Sequence, residues 1–278
     1  MSTRARLLVA LVAFVALGVS CKKGEALTLG EATQALDEAA MSTQASSAVG
    51  ATVEITTNFT IGQAVEEAAK KLLEFYQTQL PCAEVVLDQN TLKVTYGAKG
   101  NGCAFQGQTF TGSHTATVTK NEENDVVVDH VWDKLSNGKV EVSGTAHVTW
   151  SLQDKSRHVV HELHWKRLRD GREATGSGDR LQTVLPGGLG EGIQIDGTRD
   201  WKGQAGDWHL DIAGVQVRWK DPVPQAGTYT LDTPFDKTAT LSFARLDEDT
   251  IEVTFETGEK QFKFKVTSTG DIASEQAE

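Results

Sequence analysis

Three tryptophans in the C-terminal half of the chain could form a flat binding surface. Trp201 and Trp208 flank residues 203–206, a four-residue loop pattern, and the dipeptide Ala213-Gly214 between Trp208 and Trp219 is typical of a two-residue hairpin turn. These two turns place the indoles side by side on three successive strands. Because indole rings can stack on sugars or other flat, partly apolar ligands, the three tryptophans are candidate ligand-stacking residues.

The tryptophan row has a second interpretation as core packing, since aromatic side chains commonly fill the core of a sheet protein. In the predicted register Arg199 pairs with Leu210 on the tryptophan face, and Arg218 lies nearby. A cation beside the indoles indicates that this face is not wholly dry. The sequence leaves the platform and the core interpretations open.

Three histidines have the composition of a metal site but the wrong spacing for one. His158, His161 and His164 lie in a segment that alternates like a strand, so His161 faces away from the other two. His158 and His164 are six residues apart, or roughly 20 Å along a strand, which is too far to share an ion. The sequence therefore predicts no metal site here.

Other segments that could carry chemistry lack the context that chemistry requires. The glycine-rich residues 186–192 are not followed by a phosphate-binding G-K-[ST] pattern, and the acidic residues 247–249 fit a hairpin turn. No G-x-S-x-G nucleophile elbow is present. The sequence predicts a non-enzymatic protein without a cofactor.

The N-terminus has the pattern of an export signal. Arg4 and Arg6 precede an apolar run over residues 7–19, which is typical of a secretory signal peptide and short for a membrane span. The run ends in Gly18, two residues and then Cys21, and here the chain resembles a bacterial lipoprotein precursor. The small residues before Cys21 also fit an ordinary signal peptidase, so both fates of Cys21 stay open at this point.

The resemblance to lipoprotein precursors implies a membrane anchor. In that class a cysteine in the place of Cys21 becomes the first mature residue and is acylated, and several acyl chains on one residue are enough for stable anchoring. Lys22 stands where an aspartate would signal retention in the inner membrane. The resemblance therefore implies the outer membrane of a Gram-negative bacterium, on its periplasmic or its outer surface.

The two other cysteines are expected to pair. Cys82 and Cys103 are the cysteines that remain in an exported protein once Cys21 is acylated, and an oxidising compartment favours a disulfide between them. The loop so closed would contribute on the order of 3 kcal/mol by chain-entropy estimates.

The charge of the chain excludes one class of partner. The formal net charge of the 278 residues is −11, and removal of a signal peptide containing Arg4 and Arg6 makes it −13. A protein that follows phosphate backbones needs a basic face, so no nucleic-acid binding is predicted. The partners expected are the membrane through Cys21 and a lipid, a glycan or another envelope protein.

The N-terminal part of the body is predicted to be helical. Thr28 and Glu31 form a capping-box pattern ahead of a modest helix over residues 29–46, and residues 52–57 alternate like a short strand. A second helix over residues 61–80 has one continuous apolar stripe and ends before Pro81. That stripe is expected to dock on a sheet.

Almost everything after Cys82 reads as strand and turn. Residues 139–150 and 259–266 alternate apolar and polar side chains with period two, which indicates half-buried antiparallel strands. The fold class is therefore mainly β: a large antiparallel up-and-down meander, as an open curved sheet, a sandwich or a barrel, with two N-terminal helices packed on it.

Turn dipeptides predict the register of the hairpins. Asp170-Gly171 pairs Trp165 with Gly176, and Thr257-Gly258 pairs Val253 with Phe262. Asn137-Gly138 joins residues 125–136 to residues 139–150, but in the first of these strands simple alternation leaves the apolar residues divided between the two faces.

The sequence divides into a signal peptide over residues 1–20, an anchored tether with a short helix over 21–50, and one helix-braced β domain over 51–278. The segment Thr57–Gly62 and the dipeptide Pro81-Cys82 look like uncharacterised lipoproteins of myxobacteria, a resemblance that implies no activity. The function predicted is a structural or interaction role in the envelope. The alternative is a lipid- or glycan-binding module that uses an aromatic-lined sheet face, and a hydrolase ranks third.

Overall fold

The computed structural model describes residues 25–60, 65–100, 102–105, 108–151, 153–188, 191–218, 221–267 and 272–277. The predicted signal peptide, Cys21 and Trp219 lie outside these residues.

Two helices precede a long series of strands in the described part of the chain. The helices are α1 (Leu29–Thr60) and α2 (Val65–Gln79). The strands are β1 (Glu84–Asp88), β2 (Thr91–Tyr96), β3 (Cys103–Phe105), β4 (Gln108–Lys120), β5 (Val126–Ser136), β6 (Val140–Ser151), β7 (Ser156–Arg167), β8 (Glu173–Val184), β9 (Ile193–Gly203), β10 (Gly206–Arg218), β11 (Asp221–Asp232), β12 (Thr238–Arg245), β13 (Thr250–Thr257), β14 (Lys260–Thr267) and β15 (Ile272–Ala277).

The strands form one antiparallel sheet in sequence order. The path runs from β1 through β2 and β4 to β15, with β3 paired to β4 beside it. The predicted up-and-down meander is confirmed, and within the described residues the sheet is open, with β1 and β15 at its edges. Helices α1 and α2 pack on one face, which we call the inner face. Neither helix in the described part combines the length and apolarity needed to cross a membrane.

The capping box at the start of α1 is confirmed. The Thr28 N–H donates to Glu31 Oε2 at 2.7 Å, and the Glu31 N–H donates to Thr28 Oγ1 at 3.3 Å. The Thr28 backbone bond is the main reason why the pKa of Glu31 falls to about 2, and Lys237 lowers it further. The Glu31–Lys237 contact also ties the start of the helix to the loop before β12.

The predicted end of α1 near residue 46 and the predicted strand over residues 52–57 are wrong, because α1 continues to Thr60. Alternating β-branched residues favour a strand, but Thr52, Val53 and Thr56 are buried, and Thr52 contacts Trp132 of the sheet, so tertiary packing overrides the local preference. The hydroxyls of Thr52 and Thr56 donate to carbonyls one turn back, at Val49 and Val53, so they are satisfied inside the helix.

Helix α2 lies where the sequence predicts it. Its described part ends at Gln79, before Pro81, and Leu72 and Tyr76 of the apolar stripe are fully buried. The Tyr76 and Tyr96 hydroxyls lie 3.2 Å apart, which joins α2 to β2. The expectation that the stripe docks on the sheet is confirmed.

A bulge explains the divided apolar pattern of β5. Trp132 pairs with Gly144 and Leu135 with Val142, so the register shifts between them. Lys134 has a positive φ of 49° at this bulge. Because the extra residue restores the phase, Trp132 and Leu135 both point to the inner face and are buried.

Two predicted hairpin registers are wrong by two residues. Trp165 pairs with Ala174, because residues 168–171 form a longer loop closed by the Arg167 N–H donating to the Arg172 carbonyl. Val253 pairs with Phe264, because Gly258 is the first central residue of the turn. That position requires the positive φ of 58° that Gly258 adopts.

The hairpin turn predicted at Ala213-Gly214 does not exist. Strand β10 runs through this dipeptide to Arg218, and its pairing with both β9 and β11 shifts there, which marks a bulge. On the side of β10 away from β9, the neighbouring strand is therefore β11, where His209, next to Trp208, pairs with Asp232. The hairpin predicted to bring Trp208 and Trp219 together is therefore wrong, and Trp219 itself lies outside the described residues. The predicted pairing of Trp201 with Trp208 is confirmed, but the predicted four-residue loop is a two-residue turn at residues 204–205, because Gly203 pairs with Gly206.

Helix α1 crosses most of the sheet. Near its start the Leu27 N–H donates to Thr257 Oγ1 of β13 at 2.9 Å. Near its end Trp132 Nε1 of β5 donates to Thr52 Oγ1 at 2.9 Å. The middle of α1 therefore lies over the strands between these two contacts, and this overlap forms the candidate site.

Candidate functional site: an arginine-lined cavity

A cavity of about 150 Å³ lies between the middle of α1 and the inner face of the sheet. The helix contributes small residues to its wall, including Ser46 and Gly50. A Cβ added at Gly50 would meet nothing within 4 Å, so the space opposite the helix is unfilled at this point. We call this space the arginine cavity, because arginines from β7 to β10 line it.

Each of four neighbouring strands contributes one arginine to the cavity: Arg157 from β7, Arg180 from β8, Arg199 from β9 and Arg218 from β10. The first three are 4%, 6% and 5% exposed, and the side chain of Arg218 is 33% exposed. Arginine is rarely this buried unless it is paired, so the partners of each one decide what the cavity can do.

Glycines make room for the two central arginines. Arg180 pairs with Gly197 across β8 and β9, and Arg199 pairs with Gly178 across the same two strands. A glycine opposite a long side chain removes the usual cross-strand neighbour. Because the His161 ring lies over Gly178, a Cβ added there would be 2.3 Å from that ring.

The two outer arginines have carboxylate partners. Arg157 Nη1 donates to Glu54 Oε2 of α1 at 2.7 Å, with both side chains 5% exposed, and Arg157 Nε donates to Gln182 Oε1. Arg218 Nη2 lies 3.4 Å from Glu191 Oε2. Each of these guanidinium charges is therefore compensated by one carboxylate.

The two central arginines have no carboxylate partner among the described residues. Arg180 Nη2 donates to Nδ1 of His161 at 3.3 Å, and Arg199 Nη1 donates to Ser42 Oγ at 3.2 Å. The Nε of both Arg180 and Arg199 is buried without a hydrogen-bond acceptor. Two buried positive charges are thus left facing the cavity.

Burial lowers the pKa values of Arg180, Arg199 and His161, and repulsion between positive charges lowers those of Arg180 and His161 further. Burial, with Arg199 adding to it, lowers the pKa of Arg180 to about 9, and burial lowers the pKa of Arg199 as well. Both remain charged at neutral pH. Burial and then the two arginines lower the pKa of His161 to about 2, so its ring is neutral and its Nδ1 serves as an acceptor.

A stack of aromatic rings bounds the cavity on its β5 side. Trp132 lines the cavity and lies parallel to His114 and His130, with ring centroids 5.6 Å and 5.3 Å away. The two histidines share one hydrogen bond of 2.9 Å, and burial lowers the pKa of both. Neutral histidines beside Trp132 add no charge to balance the arginines.

The cavity has an apolar end that is partly open. Ile193, Ile195 and Val217 line it beside Arg218, and Ile195 and Val217 are only partly buried. The cavity therefore combines two buried guanidinium groups with an adjoining apolar surface. This arrangement suits a ligand with an anionic end and a hydrocarbon end.

Trp201 and Trp208 stack on each other, with centroids 5.9 Å apart and planes 3° from parallel. They are 3% and 2% exposed, and the Phe235 ring packs nearly perpendicular to that of Trp208, with centroids 5.9 Å apart. Both also border a shallow groove of about 780 Å³ across β6 to β10. Because their ring faces are covered, their burial favours the core interpretation over a ligand-stacking surface.

The structure separates the three histidines as the strand alternation predicts. His161 is buried on the inner face, while His158 and His164 are exposed beside Asp179 and Glu173. Within the described residues, no three His, Cys, Asp or Glu side chains converge on a point that could hold a metal ion.

The predicted disulfide between Cys82 and Cys103 is present, with Cα atoms 5.4 Å apart. It joins the α2–β1 connection to β3 and lies outside the lining of the arginine cavity. Its role is to brace the first strands of the sheet.

Sequence reasoning found Arg199 and Arg218 but missed Arg157 and Arg180. The alternation of β7 could have placed Arg157. Trp165 is buried near the end of this strand, so every second residue counted from Trp165 faces the inner face. Counting back in steps of two places Arg157 on the inner face. In β8 the same count puts Arg180 inside and leaves Leu181 47% exposed, which reverses the usual preference.

Comparisons with protein-family models, with curated proteins and with solved structures found no match to this chain. The chemistry of the arginine cavity is therefore the basis for assigning a function.

Proposed function

We propose that this chain is a non-enzymatic envelope lipoprotein that binds an anionic lipid or an anionic glycan in the arginine cavity. In this proposal Cys21 anchors the protein in the outer membrane of a Gram-negative bacterium, which rests on the resemblance to lipoprotein precursors. The β domain supplies the binding site. This choice favours the binding module over a purely structural role.

The observation that carries the proposal is the pair of uncompensated guanidinium groups of Arg180 and Arg199. Removing an unpaired charge from water costs several kcal/mol per ion, and apolar residues of similar volume would fill the same space at lower cost. Residues that lower stability in this way are typical of binding sites. A bound anion would supply the missing acceptors.

Two further observations support binding rather than catalysis. The only neutral base lining the cavity, within the described residues, is His161, and its Nδ1 already accepts a hydrogen bond from Arg180. The apolar end at Ile195 and Val217 favours an amphiphilic ligand. The cavity thus offers fixed donors and an apolar surface, which hold a ligand in place.

Binding of six-carbon probes to the mature protein in a non-ionic detergent tests the proposal. Hexanoate and hexyl phosphate are expected to bind, and hexan-1-ol is not, in isothermal titration calorimetry. The variant Arg180→Gln/Arg199→Gln is expected to lose at least about tenfold in affinity for both anions, since a charge-assisted hydrogen bond contributes roughly 1.5–3 kcal/mol. Lys93→Gln/Lys202→Gln, which removes two exposed lysines, should bind like the wild type.

A cavity-filling pair locates the site independently of charge. Gly50→Leu places a side chain in the unfilled space, whereas Gly30→Leu makes the same change at an exposed position of α1. We expect only Gly50→Leu to abolish binding. Equal binding of hexan-1-ol, or full affinity in the double arginine variant, would contradict the proposal.

A further inference from the structure

The charges that face the arginine cavity do not balance. Glu54 compensates Arg157 and Glu191 compensates Arg218, which leaves the two positive charges of Arg180 and Arg199. Tyr229, which also lines the cavity, stays neutral because burial raises the pKa of its hydroxyl. An occupant with one negative charge would leave one buried cation unpaired.

We propose that the anionic end of the ligand is a phosphomonoester dianion, a specification that rests on the proposed binding function. A phosphomonoester carries about −1.5 to −2 charges at pH 7 and three strong acceptor oxygens. The buried Nε of Arg180 and of Arg199 are donors without acceptors. Guanidinium groups match phosphate oxygens in geometry, so two arginines and one dianion satisfy each other.

The size of the cavity limits how much of the ligand it encloses. About 150 Å³ corresponds to a cavity that holds one benzene molecule, which is room for a phosphate with its first ester carbons. A longer hydrocarbon would have to leave past Ile195 and Val217, at the partly open apolar end. Inorganic phosphate and the headgroup of a phosphomonoester lipid share this chemistry.

Calorimetry with small phosphate esters tests the charge of the ligand. At pH 8 we expect the mature protein to bind ethyl phosphate about tenfold more tightly than diethyl phosphate or acetate, since the second negative charge meets a second arginine. At pH 5 ethyl phosphate is a monoanion, because its second pKa is about 6, and its advantage should disappear. Sulfate, a dianion at both pH values, should bind equally at both.

The protein groups around the phosphate position do not explain such a pH effect. The titratable and charged side chains lining the cavity are Arg157, His161, Arg180, Arg199, Arg218 and Tyr229, and Glu54 and Glu191 pair with the two outer arginines. Of these, His161 has a pKa of about 2 and Arg180 one of about 9, so neither changes its charge between pH 8 and pH 5. The sulfate titration checks this point for the whole set.

A single substitution should remove the preference without abolishing binding. Arg199→Gln leaves one uncompensated charge, so ethyl phosphate and diethyl phosphate are expected to bind it within about twofold of each other. Lys202→Gln, an exposed residue on the same strand, should keep the tenfold preference. A tenfold preference retained in Arg199→Gln would contradict the pairing of two arginines with one dianion.

The outcomes separate this inference from the proposed function. If diethyl phosphate and acetate bind as tightly as ethyl phosphate at pH 8, the phosphomonoester is wrong while anion binding stands. If none of the anions binds, both fail. Vesicles with phosphatidic acid, compared with vesicles with phosphatidylglycerol and with inorganic phosphate, identify the source: saturable binding of phosphatidic acid or of inorganic phosphate supports the inference, and equal binding of both vesicles contradicts it.

Discussion

Two groups of arginines lie under the same helix, and they differ in what the helix offers them. The first group, which we call the clasp, joins α1 to the β7–β8 connection. Its cations are Arg167, Arg169 and Arg172, and its carboxylates are Asp37, Glu38 and Asp170. The second group is the arginine cavity, where the helix offers small neutral residues.

The clasp is balanced in charge, although Oε2 of Glu38 is buried without a hydrogen-bond partner. Asp37 accepts from all three arginines, with Arg167 Nη1 at 2.6 Å and Arg169 Nη2 at 2.8 Å, and Arg172 also reaches the buried Glu38. The hydrogen bond from Arg167 holds the pKa of Asp37 below its usual value. Three cations meet three carboxylates, so this group needs no ligand and acts as a structural link.

The difference between the two groups follows from the positions of the charged residues in α1. Residues 39–53, between the acidic pair Asp37 and Glu38 and the later Glu54, contain no charged side chain. This uncharged stretch includes the small residues that line the arginine cavity. Among the described side chains of α1, the Ser42 hydroxyl accepts from Arg199, and none bonds to Arg180. The same residue type is therefore structural where α1 supplies carboxylates and available to a ligand where it does not.

Loss of the clasp is the largest effect we expect. Asp37→Asn leaves Arg167, whose side chain is 5% exposed, with Asp170 as its one carboxylate partner among the described residues. Breaking a buried ion pair costs about 3–5 kcal/mol, and because the Asp37 side chain is itself 32% exposed we expect about 3 kcal/mol. Urea denaturation followed by circular dichroism measures this loss.

The outer arginine of the clasp serves as a matched control. Arg169 contacts the same carboxylate, but its side chain is 67% exposed, so Arg169→Gln should cost less than about 1 kcal/mol. If Asp37→Asn costs no more than Arg169→Gln, the clasp does not stabilise the position of α1.

Much of the fold could be predicted from the sequence because its signals are local. The capping box at Thr28 and Glu31 and the alternation of β6 depend on neighbours within one element, and both are confirmed. The register errors arose at the glycine dipeptides 170–171, 213–214 and 257–258, where the dipeptide alone does not decide which residues form the turn or whether a bulge forms instead. That choice depends on the partner strand as well as on the dipeptide.

The site was harder to predict because it depends on contacts between distant elements. Each of Arg157, Arg180 and Arg199 can be placed on the inner face by counting along its own strand. Which of them has a carboxylate depends on how α1 lies across the sheet, and the Arg157–Glu54 pair spans 103 residues. The cavity arises from the register of α1 over four strands, which no local pattern contains.

Arg180→Met should change stability in the opposite direction from the clasp variant. Without ligand, the buried charge of Arg180 is unpaired, and a methionine of similar length removes that cost, so we expect the protein to be about 1–2 kcal/mol more stable. The variant no longer offers the Arg180 charge to the ligand, so binding of hexyl phosphate should weaken. Thermal denaturation with and without hexyl phosphate measures both effects.

Arg157→Met is the control for the predicted increase in stability. Arg157 lines the same cavity, but its removal leaves Glu54 buried without this cation, so the protein should become less stable. If Arg180→Met also destabilises the unliganded protein, the two arginines are equally compensated, and the contrast between the clasp and the cavity fails.

Lowering the pH from 7 to 6 should reduce the stability contributed by the cavity but not that contributed by the clasp. This is the smallest effect that we expect. Asp37 has a lowered pKa, so its contribution is complete above the unfolded value near 3.8 and is lost only below it. His161 has a pKa of about 2 when folded against 6.5 when unfolded, so the unfolded chain binds more protons between these values and stability falls as the pH falls. Between pH 7 and pH 6 this amounts to about 0.7 kcal/mol for one histidine.

His161→Phe tests whether that loss comes from the cavity. Phenylalanine keeps a ring over Gly178 and cannot be protonated, so the fall in stability between pH 7 and pH 6 should shrink by about 0.7 kcal/mol. The lost acceptor for Arg180 lowers stability equally at both pH values, so it cancels in this difference. His158→Gln, an exposed histidine of the same strand, should not reduce the fall.

Because His114 and His130 are also buried and neutral, part of the fall remains in His161→Phe. An unchanged fall would mean that the His161 ring is not held neutral beside the two arginines, and the positive charge assigned to the cavity would then be wrong.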